Sequence, residues 1–439
     1  LVICPASLKY QWEDEIGKFT NYSVTVIDGD LGDRVKIYKE NDSIFTVINY
    51  ELVRQDMDLD RLRALDADVI ILDEAHKIKN KDAITTKQIM QLDAKYKWLL
   101  TGTPMQNRPD ELYSLFSFMN PEILGSWTSF RNRYIVMGTK FGRRGIILGY
   151  KNLNELRGRI SLYILRRLVD EVAPELPSVL INNFTIPMTK EQAALHEDIR
   201  LVIRDIMEEM KSWDKDEPHP KEGQLLGMFT MLTEVSDSPQ LLSMSTSRMA
   251  SKFAIKSTKS PKLDELYELM QLKLEDNPDL KAVIFTQFER MQRLIVERLS
   301  KLGGCRVLNG KMKPYERQAA IDRFRFDKDV KFFVSTDAGN AGINLQIASV
   351  LVNYDLPWNP ATLKQRIGRI RRIGSEFKTV NVVNLISQDS IDERILQVLY
   401  SKTELSDQIV EKTDQEKAII SSLTGNIIDK LTKQKRKRK

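Results

Sequence analysis

The stretch Val69–Asn80, VIILDEAHKIKN, holds the residues best suited to chemistry. Four apolar residues, Val69, Ile70, Ile71 and Leu72, run into two adjacent carboxylates, Asp73 and Glu74. Mg²⁺ prefers one or two carboxylates together with waters and phosphate oxygens, and Asp73 is suited to hold it. Glu74 stands one position on, points elsewhere, and is suited to orient and deprotonate a water. The plain alternative is that both acids cap a following helix, since acids favour helix N-termini. A second concentration of charge lies far downstream. Residues 359–375 contain five basic side chains and no acid, and Arg369 and Arg372 stand three apart, which on a helix puts them on one face. Planar guanidiniums on one face suit a developing phosphate charge. A solvated basic helix, or one gripping nucleic acid, is the alternative.

These groups need strands and turns to place them. The apolar run before Asp73 reads as a parallel strand buried on both faces, and in open α/β sheets ligands bind outside the carboxyl ends of the strands. Trp98–Asn107, WLLTGTPMQN, is a second such strand. Its Thr101 and Thr103 sit beside the acids if the two strands are neighbours, and Gly102 and Pro104 make the turn. Leu1–Pro5, Val24–Ile27 and Ile44–Tyr50 read as further strands. Ser7 opens an amphipathic helix whose Leu8, Trp12, Ile16 and Phe19 form one face, with Trp12 read as core. From Glu111 the pattern is helical; residues 120–165 are irregular, with the basic KFGRRG at Lys140–Gly145. Phe184–Met188 reads as one more strand before helices from about 190 to 250. Ser260–Pro261 marks a boundary. Beyond it, Ala282–Phe285, Arg306–Leu308, Lys331–Ser335 and Val350–Tyr354 read as strands of a second α/β unit. Gly339 and Gly342, after the third of these, would let backbone N–H groups approach a phosphate.

A 439-residue chain with 42% hydrophobic and 29% charged residues is that of a globular protein of two to four domains. No apolar run approaches the ~18–20 residues that span a membrane, and no signal peptide precedes the first strand. Cys4 and Cys305 read as buried free thiols, and three histidines with two cysteines show no metal-ligand spacing. The net charge of +6 permits nucleic-acid binding without proving it. Residues 433–439, KQKRKRK, read as a disordered basic tail able to hold phosphate backbones.

DEAH followed by KIKN resembles the Walker B motif of superfamily-two helicase-like ATPases, and within them the Swi/Snf-type DNA translocases. Other motifs follow in that family's order. LVICPASLKYQWEDEIGKF resembles motif Ia, which implies DNA contacts at Pro5, Ser7 and Lys9. VINYELVRQD resembles the next DNA-contacting segment, with Tyr50. TGTP with QN is similar to motif III, which implies that Thr101, Gly102 and Thr103 couple nucleotide state to the rest of the motor. The segment ending in Gln287 resembles motif IV, STDAGNAGINLQIA motif V, and DLPWNP is a signature of the family; these imply DNA contacts at Gln287, Lys311, Ser335, Asn344 and Trp358. QRIGRIRRIG resembles motif VI, with Arg371 where the family often has His and Ser375 where it usually has Gln. The resemblance implies an α/β fold of two RecA-like lobes. Residues 1–186 would form the first, with a helical protrusion at about 108–165 and a linker at 165–177. A helical insertion at 187–258 would precede the second lobe at 259–412 and a helical or disordered basic tail at 413–439. It further implies that ATP and Mg²⁺ bind at Asp73, Glu74, Ala75, His76, Gly342, Arg369 and Arg372. Asp73, Glu74, Gln365, Arg369 and Arg372 would be catalytic, with the acids on one lobe and the arginines on the other.

The phosphate-cradling G-x-x-x-x-G-K-[ST] occurs nowhere in the chain. The chain starts at Leu1, inside a strand, and reads as a fragment whose upstream P-loop is missing, so that its first lobe is incomplete and the chain alone is expected to be inactive. The leading expectation is an ATP-dependent motor moving on double-stranded DNA, monomeric, with no membrane partner. It would be cytoplasmic for a bacterial or phage source and nuclear for a eukaryotic one. A strand-separating DNA or RNA helicase and a non-catalytic nucleic-acid-binding scaffold are the alternatives; protein partners are not legible.

Overall fold

The computed structural model describes residues 1–102, 109–140, 143–165, 173, 175–211, 220–337, 343–372 and 374–410, with 139, 140, 143–146, 211, 314 and 402–410 described by backbone alone. Two compact units are distinguished, one built on Leu1–Val136 with Tyr150–Leu165 and the other on Met137–Gly149 with Arg166–Glu404.

The first unit is built on five parallel strands: β1 (Val2–Cys4), β2 (Val24–Val26), β3 (Phe45–Asn49), β4 (Val69–Asp73) and β5 (Tyr96–Leu100), in the order β2-β3-β1-β4-β5. β1 and β3, in the middle of the sheet, are buried on both faces. The expectation of the same for β4 and β5 is corrected: β4 alternates between buried and half-buried residues, and the edge strand β5 exposes Tyr96, Trp98 and Leu100. Ile3, Ile48, Ile70 and Leu72 are buried in one core with Leu115 and Phe118 of the helix Glu111–Met119. The register sets Asp73 opposite Leu100, so β4 and β5 are neighbours, as Thr101 requires. Local signals start the helices. Asp30 and Asp33 form a capping box ahead of Leu31–Glu40. The stretch expected as a helical protrusion, about 108–165, holds helices Glu111–Met119, Trp127–Tyr134 and Leu153–Ile160, and also a two-stranded sheet of β6 (Ile135–Lys140) and β7 (Arg143–Tyr150), most of which belongs to the second unit.

The second unit carries six parallel strands: β8 (Ser178–Ile186), β9 (Ala282–Phe285), β10 (Gly304–Leu308), β11 (Val330–Ser335), β12 (Val350–Asn353) and β13 (Thr379–Ser387). Their order is β10-β11-β9-β12-β13-β8. Here the expected boundary at 186 is corrected. β8 pairs with β13 residue for residue, from Ser178↔Thr379 to Ile186↔Ser387, and so extends the second sheet. It is the edge strand, and every residue from Leu180 to Thr185 is exposed. The helices Lys190–Lys211 and Glu222–Asp237 share one apolar core with Leu356, Ile386, Ile391 and Ile395. The stretch expected as a separate insertion is therefore packed into the second unit.

Candidate functional site

Asp73 ends β4, and each of its three oxygens beyond the strand has a donor. Trp12 Nε1 donates to Oδ2 at 2.9 Å, the Glu74 backbone N–H to Oδ1 at 2.9 Å, and the Tyr50 hydroxyl to the carbonyl at 2.7 Å. Burial pushes the Asp73 carboxyl above its ordinary pKa, against the pull of the Trp12 bond. Burial, and after it Asp73, also pushes the nearby Cys4 thiol up to about 12, which leaves it neutral and inert.

Glu74 has φ 51° and ψ 47°, a left-handed conformation that costs a non-glycine residue on the order of 1 kcal/mol. It turns the chain sharply into the 3₁₀ turn Ala75–Ile78, and its side chain makes no cap bond there. The acids therefore do not serve as ordinary helix caps. Glu74 Oε2 lies 3.0 Å from His76 Nδ1, while Ala75 is buried in the core. Thr101 follows Leu100, the residue opposite Asp73. Gly102 has open space where a Cβ would stand. Thr103 lies outside the described residues.

Among the described residues, no group of three or more His, Cys, Asp or Glu could hold a metal by itself. Asp73 nonetheless fits Mg²⁺. It is a hard oxygen donor, held in place by N–H groups, disfavoured as an anion by burial, and paired with no Lys or Arg among the described residues.

In the second unit the basic segment divides sharply. Arg366 is fully buried. Its Nε and Nη2 donate to both oxygens of Asp337 at 2.8 Å, and Nη1 donates to Asn353 Oδ1 at 3.0 Å and the Asp355 carbonyl at 2.8 Å. Asp355 in turn accepts from Thr286 Oγ1 at 2.5 Å and from the Gln287 backbone N–H. Burial raises the Asp355 carboxyl, with Arg366 opposing. The network continues sideways as an amide ladder, Asn353 Nδ2 to Asn384 Oδ1 and Asn384 Nδ2 to Asn183 Oδ1, each 2.8 Å. It rests on the register of three neighbouring strands, in which these residues are direct partners.

Arg369 and Arg372 do not share a helical face as their spacing suggested. The helix Pro360–Ile367 ends with Gly368 as its cap, and both arginines lie in the turns beyond. Arg369 Nη1 reaches the Ile343 carbonyl at 3.4 Å and Arg372 Nε the Gly368 carbonyl at 3.2 Å. Burial lowers the Arg372 pKa. Gln365 is half-buried on the last turn of that helix. Gly342 lies outside the described residues.

Three expected DNA contacts are corrected by burial. Tyr50 is 2% exposed with its hydroxyl on Asp73, Ser335 is 0% exposed with its hydroxyl on the Thr336 carbonyl, and Lys9 is 4% exposed with its ammonium on the Ile27 carbonyl and Asp28. Gln287 spends its amide on the Leu356 carbonyl, and Trp358 packs partly against an apolar core. Ser7 and Lys311 are exposed, and Pro5 and Asn344 half-exposed. Sequence reasoning gave no role to Trp12, which bonds Asp73, or to Arg366 and Asp337, whose pair braces the basic segment. Trp12 was legible only as an apolar position on a helix, and Arg366 only as one basic residue among five.

An SNF2-related domain model matches residues 1–241, and a helicase conserved C-terminal domain model matches residues 261–374. The chain is 32% identical over 419 residues to the "Putative ATP-dependent helicase/translocase YwqA" of Bacillus subtilis, covering 94% of this chain and 43% of that protein. It is 26% identical over 476 residues to TATA-binding protein-associated factor 172 of Homo sapiens, covering 98% of this chain and 25% of that protein. It thus spans less than half the length of either. A Sulfolobus solfataricus SWI2/SNF2 ATPase core in complex with dsDNA is 29% identical, with a TM-score of 0.43 over 93% of this chain and 81% of that one.

Proposed function

Because this chain belongs to the SNF2-related domain family, we propose that it is the engine of an ATP-driven motor that moves on duplex DNA. The observation that carries the reading is Asp73, a strand-end carboxylate oriented by two N–H donors, followed at once by Glu74 in a strained turn. In this reading Asp73 is the residue that holds Mg²⁺, and the ion, when bound, neutralises phosphate charge. Glu74 orients a water and takes its proton as the water oxygen bonds to the γ-phosphorus and the β–γ bridging oxygen leaves with ADP. His76 Nδ1 stands 3.0 Å from Glu74 Oε2. Arg369 and Arg372 supply positive charge to the transferring phosphoryl group, and Gln365 stands next to them in sequence. Ala75 fills the core under the turn, while Thr101 and Gly102 report nucleotide state from the end of β5. The exposed and half-exposed Pro5, Ser7, Lys311 and Asn344 remain the DNA-contacting candidates.

The full-length protein tests this by ATP turnover with duplex DNA, single-stranded DNA and RNA. Stimulation by duplex above the other two supports the motor reading. Stimulation by single strands or RNA alone would make it a helicase of another kind. Duplex binding with no turnover would make it a scaffold.

A further inference from the structure

We propose that Trp12 is the positioning residue of Asp73, a role that rests on the nucleotide reading above. An indole N–H is a donor only, so Oδ2 is the acceptor of its 2.9 Å bond. Oδ1 is held separately by the Glu74 N–H, and the carbonyl by Tyr50. Three donors from three parts of the first unit thus fix one residue, and Trp12 is the one that reaches it from 61 positions away.

The ring is itself held. Trp12 packs against the buried cluster of Val2, Cys4, Ile16 and Val47. Its helix, Lys9–Phe19, is pinned by Lys9, whose buried ammonium donates to the Ile27 carbonyl at 3.1 Å and pairs with Asp28 at 2.9 Å. Tyr10 donates to the other oxygen of Asp28. A side chain placed only for packing needs no such polar end. A donor to a half-buried carboxylate that has no Lys or Arg partner among the described residues fixes its orientation.

The test is Trp12→Phe in the full-length protein, with Asp73→Asn as reference, read by binding of a fluorescent ATP analogue with Mg²⁺ and with EDTA. Loss of a hydrogen bond to a charged group is expected to weaken Mg²⁺-dependent binding about tenfold, with binding in EDTA and the melting temperature unchanged. Trp12→Leu keeps an apolar side chain with no donor and should show the same Mg²⁺-selective loss. Should Trp12→Phe fold poorly, Trp12→Leu alone decides. Equal losses with and without Mg²⁺ would make Trp12 a packing residue and overturn the inference, as would wild-type binding by both variants beside a defective Asp73→Asn. If Asp73→Asn itself binds and turns over like the parent, the nucleotide reading of Asp73 fails first, and this inference falls with it.

Discussion

Arg366 donates from Nε and Nη2 to both carboxylate oxygens of Asp337, each at 2.8 Å, from a fully buried position. This pair ties the end of β11 to the last turn of the helix Pro360–Ile367. Arg366 is therefore an architectural residue, and the chemistry proposed for this segment falls to Arg369 and Arg372, beyond the helix.

The two roles separate by mutation. Arg366→Met strands the buried Asp355 and the Asp337 pair, and should cost about 3–5 kcal/mol in denaturant unfolding. Arg369→Ala and Arg372→Ala should cost about 1 kcal/mol or less in stability, yet lower ATP turnover on the order of 10³-fold. Stable, fully active arginine variants at 369 and 372 would remove them from the mechanism.

Lys262 is 0% exposed, 2.9 Å from Asp237 and 2.7 Å from Asp392, both also fully buried. Burial pushes the Asp237 carboxyl well above its ordinary range, and Asp355 and Asp392 push the same way. The triad joins the end of helix Glu222–Asp237 to the starts of helices Pro261–Asp276 and Ile391–Val410. Lys262→Met leaves two buried acids without their cation and should destabilise by about 3–5 kcal/mol. Lys262→Met with Asp237→Leu and Asp392→Leu should recover much of that, less the bond from the Ser387 N–H to Asp392. A triple variant no better than the single one would contradict this.

His196 is buried, accepts the Ile391 N–H at Nε2, and is held down to about 4 from 6.5 by burial, with Asp392 and Glu197 opposing and Arg200 assisting. Its folded-state pKa lies below its unfolded one, so its contribution is complete above pH 6.5. It is lost as pH falls toward 4, by up to about 3 kcal/mol. His196→Gln, which keeps an acceptor, should flatten the fall in melting temperature over that window. An unchanged pH profile would show that His196 does not set it.

The amide ladder predicts a graded series. Asn384→Leu leaves the fully buried Asn353 amide and the Asn183 carbonyl without partners and should cost about 1–3 kcal/mol. Asn183→Leu, on the exposed edge strand, should cost less than about 1 kcal/mol. Equal losses would mean that strand pairing, not the ladder, carries the stability.

The strands were legible where apolar runs are continuous. β9, β11 and β12 fall within a residue of their expected bounds because burial on both faces leaves a plain signature, and β4 does so although only its alternate residues are fully buried. β8 was read too short, as Phe184–Met188, and the domain boundary was set at 186, at its end. Its exposed Asn182 and Asn183 hide the pattern, and its partner β13 lies 201 positions on. Asp73 and Glu74 were legible as a pair, but the left-handed turn at Glu74 was not, since nothing in DEAH demands it. Tyr50, Ser335 and Lys9 were misjudged because a motif shows which residue is present and not which way it faces. The bond from Trp12 to Asp73 joins two segments that only the sheet order β1-β4 brings together.

The most direct measurement is ATP hydrolysis by the full-length protein with and without duplex DNA, set beside its Glu74→Gln variant. The account predicts that duplex DNA stimulates turnover. It also predicts that Glu74→Gln lowers the rate by about 10²–10⁴-fold while the variant still binds ATP. Turnover indifferent to duplex DNA, or undiminished in Glu74→Gln, would contradict it.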